Sequence, residues 1–176
     1  MKCFSTNILI CLFLTSCSHT YYVVRHAEKA VPSAGITLST PNDPPLSVKG
    51  ELRANDLKEE LKDKKIAYLY ATNTVRTRST AEPLRIYEGL NVQTYGPKPD
   101  SAFIGQLKRL KRNALIVGHS NTVDDIVNGL SGRVEVPGDL PDTEFDNLFV
   151  IRYRKWLGTK ITYERKKFGE ASQSAR

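Results

Sequence analysis

His26 and His119 occupy matching positions in the chain. Each stands at the end of an apolar run, "YYVV" at 21–24 and "ALIVG" at 114–118, and each opens onto a polar stretch. Arg25 directly precedes His26, and Arg76 and Arg78 follow a further apolar run, "IAYLYAT" at 66–72. Imidazoles beside guanidiniums suit phosphate chemistry. A guanidinium grips phosphate oxygens with paired N–H bonds. A neutral imidazole attacks phosphorus and holds the phosphoryl group, while a protonated one stabilises the equatorial oxygens in the transition state. No metal site is expected: zinc needs three or four protein ligands, and adjacent arginines repel a dication. The remaining histidine, His19, falls in a short tether after Cys17. Ser120, in "GHSNT", sits on a strand-to-helix turn but lacks the closing glycine of a nucleophile elbow. A Ser120-based hydrolase is the weaker alternative.

These side chains act together only if the chain brings them to one rim. "YYVV", "IAYLYAT" and "ALIVGH" read as buried strands, and "NVQTY" at 91–95 as a shorter one. Segment 51–64 places Ala54, Leu57 and Leu61 on one helical face. Segment 76–89 is helical with a kink expected at Pro83. Segment 102–113 is helical through Phe103, Leu107 and Leu110. Segment 121–132 forms a helix capped by Asn121, with Asp124 three residues on. "NLFVIRYR" and "TKITYER" alternate and pair at the end of the sheet. Residues 30–45, rich in Pro, Ser and Thr, form a long loop of the kind that carries function. "GEASQSAR" reads as a frayed tail. Alternating strands and helices predict an α/β three-layer sandwich, a mostly parallel sheet with helices on both faces. Ligands of such sheets bind beyond the carboxyl ends of the strands, where Arg25, His26, Arg76 and His119 would converge. The helix after His119 adds N-terminal amides that favour an anion, so Ser120 and Asn121 join the substrate-binding candidates.

The chain has 176 residues, 40% of them apolar and 26% charged, with a net charge of +7. One domain over 18–176 accommodates this. A basic balance suits phosphate esters, nucleic acid or a membrane surface; "KRLKR", "RYRK" and "ERKK" read as solvated faces, and no nucleic-acid partner is expected. Residues 1–17, "MKCFSTNILICLFLTSC", join one lysine to an apolar run too short to span a bilayer. Ending in "LTSC", they resemble a bacterial lipoprotein signal. That resemblance implies lipidation at Cys17 and a lipid-anchored protein of the bacterial envelope facing the periplasm. The alternative is a cleaved secretory signal. Removing residues 1–16 takes away one lysine and lowers the charge from +7 to +6. With Cys3 and Cys11 removed and Cys17 lipidated, no disulfide remains. A monomer is expected.

Four motifs carry a wider resemblance. "VVRHAEK" is similar to the RHG/RHA signature of the histidine phosphatase superfamily, which includes the phosphoglycerate mutases. "PLSVKGELRA" at 45–54 resembles its L-[ST]-x-x-G-x-x-[QR]-A element, "TNTVRTRSTAE" at 72–82 its arginine helix, and "LIVGHS" at 115–120 its second-histidine motif. The resemblance covers 21–122 and implies a phosphoglycerate mutase-like fold. It also implies a cofactor-independent, histidine acid phosphatase-type enzyme acting on a phosphorylated small molecule or phosphoprotein. In it His26 becomes phosphohistidine, Arg25, Arg76 and His119 form the phosphate pocket, and no metal or organic cofactor takes part. Arg78 is given a surface or packing role. Ala27 replaces the commoner Gly, and Ser120 stands where phytase-like relatives carry an acid, so the proton donor is open. Asp100, in the loop where the mutases carry their acid, is preferred over Glu28. The rival readings are that Asp100 caps a helix and that Glu28 orients its loop or pairs with a cation. The absence of the long mutase insert points to a small phosphatase that hydrolyses phosphate monoesters or phosphohistidine. The competing class is a phosphate-binding module without turnover.

Overall fold

The structure is a computed structural model and describes residues 17–31, 42–155 and 158–172. Its elements run β1 (Cys17–Arg25), α1 (Val48–Leu61), β2 (Tyr68–Thr72), α2 (Val75–Glu88), β3 (Val92–Tyr95), α3 (Ser101–Arg109), β4 (Ala114–Gly118), α4 (Val123–Ser131), β5 (Asn147–Lys155) and β6 (Thr159–Lys167). The leader and most of the 30–45 loop, residues 32–41, lie outside the described residues.

The six strands form one sheet in the order β3-β2-β4-β1-β5-β6. β3, β2, β4 and β1 are parallel, while β5 and β6 run antiparallel as a closing hairpin. The central strands have no polar face because both faces are covered. Tyr21, Val23, Tyr70 and Ile116 pack with Leu107 of α3 and Val123, Ile126 and Leu130 of α4. Val24, Leu69, Leu115 and Val117 pack with Leu57 and Leu61 of α1 and Ala81 and Leu84 of α2. Each such aliphatic side chain contributes about 1.5–3 kcal/mol by leaving water. This is the predicted α/β sandwich.

Several local expectations need correction. β1 begins at Cys17, not at Tyr21. His19 is therefore no tether residue: it is 5% exposed and lies between the rings of Tyr21 and Tyr153. Polar "SHT" becomes strand because β5 pairs along its whole length and Asn113 Oδ1 accepts from Thr20 N at 2.8 Å. Asn113 also donates to Lys64 O (2.6 Å), joining β1 to the turn after α1. Helix α2 continues through Pro83 as one element. The N-cap of α4 is Thr122, not Asn121, and it makes no side-chain bond into the helix. Its hydroxyl instead accepts from His119 N at 2.9 Å. The tail is not frayed through residue 172. Ser172 Oγ accepts from Phe145 N and Asp146 N at 2.8 and 3.1 Å, and Ser172 N donates to Asp146 Oδ2 at 3.1 Å.

Candidate active site

The parallel strands end level with one another. Arg25 is in register with Gly118, and Thr72 with Tyr95. Gly118 is required by crowding: a Cβ there would lie 2.8 Å from Thr122 Oγ1 and 3.0 Å from the Tyr95 hydroxyl. Without that side chain, β4 turns tightly into α4 and places His119 beside β1.

His26 is 5% exposed, and its N–H donates to Gly118 O at 2.9 Å. Its Nδ1 lies 2.8 Å from the carbonyl of Ala27. A carbonyl only accepts, so Nδ1 carries the proton and Nε2 keeps the lone pair. Burial, followed by the positive fields of Arg25, His119 and Arg76, brings its pKa down to about 3 against the Ala27 bond, which raises it. At neutral pH the imidazole is uncharged with a fixed tautomer. Ala27, 1% exposed, donates its N–H to Thr80 Oγ1 at 2.9 Å, and Thr80 bonds to Arg76 O at 2.8 Å. Thr80 thus ties the His26 loop to the first turn of α2.

His119 faces His26 edge-on, with ring centroids 5.3 Å apart. Arg76 approaches His119 Nδ1 at 3.4 Å, and Thr72 Oγ1 lies 2.7 Å from Nε2. Arginine only donates, so Nδ1 accepts and the proton sits on Nε2, which donates to Thr72. The Thr72 hydroxyl is 3.1 Å from Thr77 Oγ1, which donates to Thr72 O at 2.8 Å. The chain of donors runs from Arg76 through the ring to the backbone of β2. Burial first, then Arg76 and Arg25, lower the His119 pKa to about 4. The second imidazole is therefore neutral in the empty site, not protonated; a bound dianion would be needed to charge it.

The two arginines are held differently. Arg76 Nη1 donates to Asp43 Oδ1 at 3.0 Å, and Asp43 Oδ2 accepts from Val75 N at 2.8 Å. Arg25, 5% exposed, donates from Nη1 to Pro141 O (2.8 Å) and Glu144 O (3.3 Å), with Nη2 3.4 Å from Asp142 Oδ1. Its guanidinium carbon sits 4.2 Å from the centroid of Phe145. Arg25 Nε is buried and has no partner among the described residues. Arg78, among the described residues, makes a weak 3.5 Å contact with Asn73 Oδ1 and lies in the field of Glu82. Ser120 and Asn121 lie on the turn beyond His119, where Ser120 O accepts from Leu140 N at 2.9 Å.

The two candidate acids are both occupied elsewhere. Arg53, 2% exposed, forks onto Glu28 with Nε–Oε2 at 2.8 Å and Nη2–Oε1 at 2.7 Å. Its Nη1 donates to Phe168 O at 3.1 Å. Burial pushes the Glu28 carboxyl up, but the Arg53 bonds outweigh it and hold the pKa below the usual range. Glu28 thus pairs with a cation. Gly50 makes the approach of α1 possible, because a Cβ there would lie 2.1 Å from Glu28 O. Asp100 is the N-cap of α3 and accepts from Phe103 N at 2.8 Å. Its carboxylate satisfies a helix end.

Sequence reasoning missed Arg53, Thr72, Thr80 and Asp43. Arg53 and Thr80 sat inside quoted motifs, at the [QR] and T positions, and so carried a signal. Asp43 lay in a Pro-rich loop with none. Among the described residues no group of three or more His, Cys, Asp or Glu is placed to hold a metal ion.

Residues 21–96 match the family model of the histidine phosphatase superfamily, branch 1. No curated protein matches the chain. Among solved structures, a mycobacterial glucosyl-3-phosphoglycerate phosphatase superposes with a TM-score of 0.60 at 12% identity, over 84% of this chain and 97% of that one. A putative phosphohistidine phosphatase SixA from Agrobacterium tumefaciens gives 0.56 at 16% identity, over 80% and 96%. Phosphoserine phosphatase from Entamoeba histolytica, in complex with 3-phosphoglyceric acid, gives 0.57 at 12% identity, over 87% and 98%. At these identities the superpositions speak for the fold, which is phosphoglycerate mutase-like. The match over residues 21–96 and the fold agree in their likeness to the histidine phosphatase superfamily.

Proposed function

We propose that the protein is a phosphatase that passes a phosphoryl group first to His26 and then to water. The observation that carries this reading is the bond from His26 Nδ1 to Ala27 O, which leaves Nε2 as a lone pair beside His119 and the arginines. In the first step the Nε2 lone pair forms a bond to phosphorus as the bond to the leaving atom breaks. In the second, water attacks phosphorus as the N–P bond breaks, its electron pair returns to Nε2, and the proton lost by the water passes to a phosphate oxygen, so that inorganic phosphate departs as dihydrogen phosphate. Arg25 Nε–H, buried and without a partner among the described residues, supports a role in holding a phosphate oxygen. Arg76 and His119 supply further donors once the dianion is bound.

The positions of Glu28 and Asp100 favour a substrate whose leaving atom needs little help from an acid. Asp43 and Asp142, two further carboxylates on the rim, both lie on arginines. A phosphorylated imidazole, as in phosphohistidine, or an aryl phosphate meets that condition better than an alkyl ester. The named activity of the SixA-like neighbour is in keeping with this preference. The leader ending in Cys17 supports a lipid anchor in the envelope, which Cys17→Ser would remove, read as loss of a covalently bound acyl chain.

The test is a trapping experiment with labelled substrate, quenched at alkaline pH where phosphoramidates survive. Wild type should carry label on His26, and His26→Ala none. Phosphohistidine and nitrophenyl phosphate should turn over well ahead of alkyl phosphates. Equal label in His26→Ala would refute the nucleophile, and phosphate binding without release would identify a binding module instead.

A further inference from the structure

Three basic stretches far apart in sequence meet at one end of the sheet, opposite the catalytic rim. Lys64 and Lys65 lie in the turn after α1, Lys111 and Arg112 in the turn after α3, and Lys155 and Lys160 on the β5–β6 hairpin. The contacts that bring them together are explicit. Asn113 bonds both Thr20 of β1 and Lys64 O, and its own carbonyl accepts from Ala67 N at 2.9 Å. Lys155 is in register with Cys17, and Lys160 with Arg154. The fields of Lys155 and Lys111 both reach His19. All six cations are exposed. None is in an ion pair among the described residues, whereas Lys49, Arg53, Arg76, Arg85, Arg133, Arg165 and Lys167 are all paired.

The carboxylates at this end do not cancel them. Glu59 is held by Lys58 and Lys62, and Glu135 by Arg133; Glu60, Asp63 and Glu88 remain among the described residues, against six unpaired cations. Two of the lysines also accept a conformational cost to be there. Lys65 and Lys111 both have φ of 50°, a left-handed conformation that glycine or asparagine usually fills.

The described chain enters this end. β1 starts at Cys17, and the residues before it are one lysine, two cysteines, polar residues and the apolar run "ILICLFL". An apolar segment leaving from the centre of an unpaired cationic rim fits one surface: apolar in its interior and anionic at its face.

We infer that the end of the sheet formed by these three turns is a docking face for the anionic head groups of a lipid membrane. One acyl chain or short apolar segment holds a membrane weakly, and a polybasic patch supplies the second attachment. The inference does not depend on what His26 does or on whether Cys17 is lipidated.

The test uses the full chain and vesicles of phosphatidylcholine alone or with about one-third phosphatidylglycerol, where each lysine at the surface is worth about fivefold in partitioning. Wild type should float preferentially with the anionic vesicles, and raised salt should remove the preference. Replacing Lys64, Lys111 and Lys155 together by Gln should lower it by on the order of 10²-fold. Replacing Lys49, Lys98 and Lys166, at the opposite end, should not. Cys17→Ser should keep the preference, separating it from lipidation. Equal partitioning of wild type onto both vesicles, or an equal loss in the control variant, would overturn the inference. So would salt-sensitive binding to heparin with no preference among vesicles, which would assign the face to a soluble acidic polymer.

Discussion

Replacing Arg53 by Met separates the two roles open to Glu28. The pair is nearly enclosed: the Arg53 side chain is 2% exposed and that of Glu28 15%. Three charge-assisted bonds join them, two of them sharing Arg53 Nε, and a further one from Arg53 holds the carbonyl of Phe168. Truncating the arginine strands the carboxylate in a poorly solvated site, which costs about 3–5 kcal/mol. For a domain of this size, at roughly 2–4 °C per kcal/mol, the melting midpoint should fall by about 6–20 °C. Glu28→Gln keeps the shape but leaves the guanidinium facing a neutral amide, and should cost less. The double variant should be more stable than the summed single losses predict, with a coupling of about 1–3 kcal/mol. Urea melts give these values. Turnover of an alkyl and an aryl phosphate by Glu28→Gln then gives the kinetic half: a positioning residue slows both substrates by the same factor. A loss under about 1 kcal/mol in Arg53→Met, or a selective loss of the alkyl substrate in Glu28→Gln, would refute the reasoning.

Arg76→Ala should lower kcat/KM by on the order of 10²–10³-fold, and Arg78→Ala only severalfold, because Arg78 touches nothing in the site beyond the weak Asn73 contact; equal losses would overturn the assignment. Acid should destabilise the fold through His26 and His119. Their pKa values of about 3 and about 4 lie below the ordinary 6.5, so the unfolded chain takes up protons first. Stability is complete above pH 6.5 and is lost as the pH falls toward 3, by roughly 3–5 kcal/mol for His26; urea melts at stepped pH should show a shallower acid limb in His26→Asn, and an unchanged limb would contradict the burial argument. Asp100→Ala should cost about 0.5–2 kcal/mol of stability as a lost N-cap, with the ratio of alkyl to aryl turnover unchanged; a selective fall in the alkyl rate would make Asp100 the acid after all.

What could be read from the sequence was what depends on near neighbours in the chain. Apolar runs located the strands, and the residues that end them, Arg25, His26 and His119, followed directly. The first four residues of β1 could not be read that way, because "CSHT" has no strand pattern; β5 and Asn113, more than ninety residues away, make it one. Asn121 looks like a cap because Ser/Thr/Asn/Asp before an apolar helix usually is one. The structure instead places Thr122 there and turns its hydroxyl toward His119 N, a bond set by the tight turn at Gly118. Glu28 illustrates the same limit at the site. Two residues from His26 it resembles an acid, and only the arrival of Arg53 from α1 shows that its charge is taken. Asp43 joins the site through Arg76, a contact that no local pattern encodes.

The cup around Arg25 has a consequence for when the protein becomes competent. His26 and both of its neighbouring motifs are synthesised early. The carbonyls that hold Arg25 belong to Pro141 and Glu144, the ring beneath it to Phe145, and the peptide of Phe145 is pinned by Ser172. Phe168 likewise supplies the carbonyl that steadies Arg53 and so the Glu28 loop. A nascent chain that stops short of residue 172 has His26 but neither support for Arg25 and Glu28 on its two sides. The surroundings of Arg25 and Arg53 therefore form only once the segment through Ser172 has folded onto the sheet, and a chain clipped before Ser172 should show lower phosphatase turnover than the intact one.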